Sequence, residues 1–518
     1  MVMKVGFFVV FMTFSSILSP IHSSADCSVI NWWCDKTPYP KPCKYYLGQD
    51  CSHSPLSKND FRILATKLAL EWSIDALDYI KWFGLTRYDD KKRGAWTDCL
   101  KLHKSTIVQL TRTLDKSTNH SDFDIQTWLS SALTNLDTCQ TGFDELGVTD
   151  YIFSLKNNNV SQLISNILAI NNVETDHQTT YKGGFPSWVS GGDRGLLLSK
   201  WLSPDFVVAQ DGSGNFLPIK EAIDASITTS HGGRFVIFVK SGVYSENIEV
   251  GLNMENIMLI GNGWKSTIIT GNRSHVGGYS TFDSATFSVA GNGFMARGIT
   301  FRNTAGQQNG QAVALLSRSD RSVFYRCSFE GYQDTLCVHS QRQFYTESHV
   351  FGTTDFIFGN AAVVFQNCFI HGRTPLEGNQ IVITAQSRSD PNQNTGISIH
   401  RCHVSPAKGH GPVVKPFVAY LGRPWMDYAR VVYMRSYLDG FVPGVGWSQW
   451  GNNTGNLGTL YYGEYGNFGP GSSTKERVKW SGYHDIANIT EAENFTVGKF
   501  IGGESWLLEA DVPFILDI

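Results

Sequence analysis

The chain has 518 residues, 42% hydrophobic and 13% aromatic, with a formal net charge of −3. That length leaves room for two or more packed cores, and that apolar share excludes intrinsic disorder. The near-balance of charge argues against nucleic acid as a partner, so a polyanionic ligand would have to be gripped by local groups rather than by a whole-protein field.

In chain order, residues 1–25 read MVMKVGFFVVFMTFSSILSPIHSSA. One lysine precedes an apolar run of about 14 residues, and small residues end at Ala25, the pattern of a secretory signal peptide. A membrane anchor needs about 18 or more apolar residues, so the reading is a secreted, extracellular protein without a stable membrane anchor. Six sequons, at Asn119, Asn159, Asn272, Asn452, Asn488 and Asn494, are candidate glycosylation sites that fit the secretory route. Six of the ten cysteines lie before residue 140 and four after residue 320, and in an exported chain such cysteines can pair.

Residues 26–173 read as one helical domain, with helical apolar spacing from about residue 60 onward. Candidate helices at 61–83, 94–117, 124–145 and 153–173 predict an all-α four-helix bundle. Cys99 and Cys139 would tie the second helix to the third, Cys34 and Cys43 would close the loop TPYPKP, and Cys27 and Cys51 are left as a third candidate pair. Residues 174–202, rich in Gly, Ser and Pro, read as a linker.

From 203 to 518 the texture is all-β, with short apolar runs such as RFVIFVKSGVY, NIMLIG and VVFQNCFI between glycines and asparagines. Helix signals nearly vanish until the end of the chain. Aligning the runs gives anchors at Phe301, Phe329, Val350, Ile370, Val404 and Leu438, separated by 28, 21, 20, 34 and 34 residues. Irregular repeats just above 20 residues predict a parallel β-helix. The rival fold is a β-sandwich, but its regularly spaced hairpin signals are missing. Two residues before the anchors stand Ile299, Cys327, Ser348, Cys368, Cys402 and Ser436. These would form an internal ladder in which Cys368 and Cys402 are either a disulfide or buried thiols.

In that alignment Asp334 of GYQDTLC and Asp355 of GTTDFIFGN each fall five residues after their anchor. Equal register in consecutive coils stacks them roughly 4.8 Å apart. Two carboxyls so close do not both ionise easily, which predicts one acid and one base or nucleophile. Gln333, beside Asp334, and Gln311, one coil earlier, are candidate oxyanion donors. Arg423, in LGRPW, offers a fork that can grip a carboxylate.

The segments GVYSE (242–246), QAVAL (311–315), GYQDTL (331–336), DFIFG (355–359) and LGRPW (421–425) resemble, in order and spacing, the five signatures of plant pectin methylesterases. The resemblance covers about residues 203–515. CDKTPYPKPC, the paired helix cysteines and TNLDTC resemble the pectin methylesterase inhibitor domain that one class of these enzymes carries as a pro-region. It implies a right-handed β-helix acting on methyl-esterified homogalacturonan and releasing methanol, with no metal or organic cofactor. It further implies Asp355 as nucleophile, Asp334 as proton donor and acceptor, Gln311 and Gln333 as transition-state stabilisers, and Arg423 fixing Asp355. Phe282, Phe356, Trp425 and Trp447 are candidate sugar walls, with Gln311 and Arg423 also touching substrate. Implied partners are pectin, separate inhibitor proteins and a processing protease acting on a monomer.

Departures from the family pattern are Cys337 where a tyrosine is usual, Ser348 where a cysteine is common, and Gly195 in DRGLL, a candidate processing site. The near-neutral balance also contrasts with many basic relatives and predicts a weaker response to salt. Among competing readings, GHG at 409–411 occurs in polygalacturonases, but their aspartate triad is missing. A calcium-dependent lyase needs clustered acids, His400 and His403 of HRCH would point to opposite strand faces, and no GxSxG elbow is present. A catalytically weak or inactive wall protein acting through its bundle is the alternative from another class.

Overall fold

The computed structural model describes residues 27–49, 57–84, 90–117, 120–171, 204–229, 233–376, 380–407, 417–510 and 512–518. The signal segment, the linker with DRGLL, GHG 409–411, Cys51 and Asn119 lie outside them.

Two short helices that sequence spacing does not predict come first, α1 (Ser28–Cys34) and α2 (Pro40–Leu47). The second starts on a proline, whose fixed φ suits a first helical position, and a Cys34–Cys43 disulfide clamps it to α1. Cys27 is also disulfide-bonded. The bundle proper is α3 (Lys58–Tyr79), α4 (Asp90–Leu114), α5 (Asp122–Glu145) and α6 (Tyr151–Asn171). Capping boxes, Ser57 with Asp60 and Ser121 with Asp124, satisfy the first amides of α3 and α5. Phe61, Ala65, Leu129, Leu136, Val160 and Ile164 fill the core, and the expected Cys99–Cys139 disulfide joins α4 to α5.

Helix α5 is buried on more than its apolar side. Thr127, Ser130, Ser131 and Thr134 are also inaccessible, because this polar stripe lies on the second domain. Asn394 Nδ2 donates to Thr127 Oγ1 at 2.9 Å, Ser131 Oγ to Ser340 Oγ at 3.2 Å and Asn360 Nδ2 to Thr134 Oγ1 at 2.9 Å. Thr138 Oγ1 lies 2.9 Å from His339 Nε2. Buried hydroxyls need such partners, so the stripe is an interface written in Ser and Thr.

The second domain is a parallel β-helix. Among the described residues its coils build parallel sheets of 11, 8 and 7 strands. The expected register holds: Phe301 pairs with Phe329, Phe329 with Val350, Val350 with Ile370, Ile370 with Val404 and Val404 with Leu438. These side chains face inward beside a second stack, Phe324, Tyr345 and Phe365, whose ring centroids are 4.7 and 4.6 Å apart.

The internal ladder is present, and of the two alternatives for its cysteines it takes the buried thiols, so the candidate Cys368–Cys402 disulfide is not formed. Cys368 and Cys402 are free, buried thiols, as are Cys327 and Cys337. Each sulfur turns to one carbonyl of its own coil and one of the coil before, Cys368 Sγ to Gln366 and Tyr345 at 3.5 Å and Cys402 Sγ to His400 and Phe365 at 3.4 Å. The rungs link through amides instead. Cys327 N–H donates to Ser348 Oγ at 3.1 Å, Cys368 N–H to Cys402 Sγ at 3.4 Å and Cys402 N–H to Ser436 Oγ at 3.0 Å. One residue before the rungs, Arg326, Glu347, Asn367, Arg401 and Arg435 all carry φ between 48° and 56°. This left-handed corner turns each coil from the 11-stranded sheet to the 8-stranded one. His400 and His403 therefore stand in different sheets, not on opposite faces of one strand.

Helix Ile219–Thr229, in the stretch read as lacking helices, packs Ile219, Ala222 and Ile223 over the end of the coil core. At the other end of the chain, Phe495, Val497, Phe500 and Ile501 cover Val364 and Val432 on the outer face of the 11-stranded sheet. Among the described residues no helix is long and apolar enough to cross a membrane.

Candidate active site

Asp334 and Asp355 each sit just before a strand of the 7-stranded sheet, Leu336–Val338 and Ile357–Gly359. Leu336 pairs directly with Ile357, and Asp334 N–H donates to Thr354 O at 3.0 Å. The two aspartates thus share a position in adjacent coils. Both carry a left-handed φ, 59° and 51°, which Asp tolerates better than most residues. The tight corner lifts each carboxyl out of the coil wall while leaving 9% and 4% of the residue exposed.

One pocket is lined by this pair together with Gln311, Gln333, Arg423, Trp425, Phe358 and Trp450. Arg423 grips Asp355 with its fork: Nε donates to Oδ1 at 2.9 Å and to Oδ2 at 3.2 Å, and Nη2 donates to Oδ2 at 2.5 Å. The guanidinium also lies over the Trp450 ring, 4.2 Å from its centroid, and Trp450 stacks on Trp425 at 6.2 Å. Burial raises the pKa of both aspartates. At Asp334 the charge of Asp355 raises it further, well above the ordinary carboxylate range. At Asp355 the hydrogen bonds and charge of Arg423 oppose the rise. The corner therefore sets a carboxyl whose neutral form is favoured beside a carboxyl oriented by a cation.

Of the candidate sugar walls, Trp425 lines this pocket and Phe282 the adjoining one. Phe356 and Trp447 do not face the groove. Phe356 is wholly buried in the coil core, and Trp447, 1% exposed, stacks on Tyr462 and donates to Glu464 Oε1 at 3.1 Å. Phe356 precedes the strand, directly after the left-handed corner at Asp355, and falls into the coil core beside Ile357; it is Phe358 that emerges with Cys337, Leu316, Val313 and Ala385 in an apolar patch beside the pair. Trp450 was missed: GWSQW offers two tryptophans, and nothing in their spacing says which one faces Arg423. The sequons Asn272, Asn452, Asn488 and Asn494 are exposed, and Asn159 is half-buried on α6.

Residues 205–504 match the family model described as pectinesterase, and residues 28–170 match that of the plant invertase/pectin methylesterase inhibitor. The chain belongs to the pectinesterase family. It is 52% identical over 483 residues to probable pectinesterase/pectinesterase inhibitor 17 of Arabidopsis thaliana, covering 93% of each chain. It is 50% identical over 483 residues to pectinesterase 2 of Citrus sinensis, again with 93% of each covered. Pectin methylesterase from carrot, a solved structure, aligns at 47% identity with a TM-score of 0.59, covering 62% of this chain and 100% of that one. The pectinesterase at hand is a carboxylic ester hydrolase that removes methyl esters from pectin.

Proposed function

We propose that this pectinesterase works through an aspartyl nucleophile, with Asp355 attacking the galacturonate methyl-ester carbonyl. The observation that supports it most is the two-toothed grip of Arg423 on Asp355, with Asp334 at the matching position of the adjacent coil. Arg423 keeps Asp355 ionised and aims it. Gln311 and Gln333 donate to the developing oxyanion. Collapse of the tetrahedral intermediate expels methanol, which takes its proton from Asp334 and leaves an acyl-enzyme. Asp334, now a base, activates water, and hydrolysis returns Asp355 as a carboxylate with the acid product. Trp425, Phe282, Phe358 and Trp450 supply flat faces for sugar rings.

The bundle belongs to this reading as a restraint. Thr141 and Glu145 of α5 line the catalytic pocket, and Glu145 accepts from Thr281 N–H and Oγ1, both at 3.0 Å. A folded pro-region seated there blocks a polysaccharide from the pair until a protease cuts the linker. The protein is then a secreted monomer acting outside the cell, and separate inhibitor bundles can dock the same way. The test is methanol release from highly methylated pectin. Asp355→Asn in residues 203–518 is expected to lose roughly three or more orders of magnitude in kcat while melting like its parent. Near-normal turnover would remove Asp355 from the nucleophile role. The full chain is expected to be slower than the β-helix segment, and equal rates would refute the restraint.

A further inference from the structure

Arg318 is one of the buried cations of the β-helix and is 5% exposed. Elsewhere such groups are saturated. All three nitrogens of Arg342 bond to Asp320 or Asp124, and those of Arg477 bond to Glu464 and to carbonyls of residues 443, 444 and 471. Arg318 has no such set. Its Nε and Nη1 find no acceptor, and Nη2 stands 3.7 Å from Glu249, which Lys101 of α4 already holds at 2.8 Å. A guanidinium left with two idle donors is costly and marks a place for an absent acceptor.

Its surroundings say which acceptor. Ser317 pairs with Val338, so Arg318 stands one coil before His339 on the 7-stranded sheet. Its Cζ is 5.4 Å from the Phe282 ring centroid, and that ring lies 5.8 Å from His339. Phe282 and His339 line a pocket with Cys337, Leu316, Phe358 and Trp425, the apolar floor running on to the catalytic pair. Helices α4 and α5 supply its roof. Asp98 of α4 enters it, with Oδ2 accepting from Ser280 Oγ, Oδ1 unpaired, and its charge acting on Arg318. A carboxyl of the pro-region thus lies in the electrostatic reach of the under-used cation.

We propose that Arg318 recognises a free galacturonate carboxylate at a subsite walled by Phe282, Cys337 and His339, and that Asp98 occupies this subsite while the bundle is seated. Once the bundle leaves, the enzyme binds partly de-esterified chains better than fully methylated ones, since only the former bring a carboxylate to the fork.

The test compares KM and kcat of residues 203–518 on fully methylated and half de-esterified pectin. Arg318→Gln is expected to raise KM on the half de-esterified polymer roughly tenfold, the weight of one charged hydrogen-bonded contact. KM on the fully methylated polymer and kcat on both should stay within about twofold. Arg318→Lys keeps the charge without the fork and should fall between, which also covers the case that the Gln variant melts early. Equal KM changes on both polymers, or a parental KM ratio in both variants, would show Arg318 to be only Glu249's structural partner. The inference rests on the groove being the sugar site. That reading fails on Asp355→Asn turnover and this one on the KM ratio, so the two failures are distinguishable.

Discussion

The Arg423 fork favours the ionised form of Asp355 more than its burial alone would permit, and the cost of losing it can be measured. Arg423→Lys replaces a planar, two-toothed donor by a point charge. It is expected to lower kcat by roughly one to two orders of magnitude, the scale of losing a preorganised charged contact. It should also move the acidic limb of the pH–rate profile to higher pH, because Asp355 would then release its proton later. An unmoved acidic limb would mean that Arg423 binds sugar but does not tune the nucleophile. In the proposed mechanism the alkaline limb belongs to Asp334, whose pKa is raised by burial and by Asp355. Activity is lost there as pH climbs through that raised value and the acid is deprotonated. Asp334 and Asp355 were legible as a pair because their register is a counting argument. Trp450 was not, since a loop tryptophan's direction depends on where the loop goes.

At the scale of the element, the coils are built on period-two alternation and a corner. Anchors every 20 to 34 residues, alternately inward, define the strands. The left-handed corners at Arg326, Glu347, Asn367, Arg401 and Arg435 were invisible, because such side chains are no sign of positive φ. Phe329, at the middle of the stack, touches Phe301, Phe324 and Tyr345. Phe329→Ala is expected to destabilise the β-helix by about 3–5 kcal/mol, read from its denaturation midpoint. The thiol ladder gives a second check. Cys327, Cys337, Cys368 and Cys402 should react with a thiol reagent once the unreduced protein is denatured, whereas Cys34, Cys43, Cys99 and Cys139 should not. Protection of Cys368 and Cys402 under those conditions would restore the disulfide.

For the whole molecule, docking of the bundle on the β-helix is coupled to protons through Asp98. Burial, with Asp283 and Glu145 facing it, pushes its pKa up to about 7, against the pull of Ser280 and Lys101. In the undocked bundle the same carboxyl titrates in the ordinary range near 4. A raised pKa in the docked form means that docking takes up a proton. Docking is therefore favoured at low pH and weakens as pH rises from about 4 through 7, by at most about 4 kcal/mol for a three-unit shift. With the linker cut, the bundle should co-elute with the β-helix at pH 5 and dissociate more readily at pH 7.5, and Asp98→Asn should reduce that difference, leaving the part carried by Asp137 of α5, which burial against the β-helix also pushes up to about 7. Retention independent of pH in the parent would remove Asp98 as the coupled group.

The sequence by itself determined the two domains' secondary-structure classes, the coil register and, through that register, the meeting of Asp334 with Asp355, because alternation and repeat length are local properties that survive any placement of the loops. Tertiary structure alone decided that Phe358 rather than Phe356 faces the groove, that Trp447 serves the core, that Cys368 and Cys402 stay apart, and that the Ser and Thr stripe of α5 is a buried seat. Each of these depends on which surface arrives opposite, and burial is a relation between distant segments that no local pattern encodes.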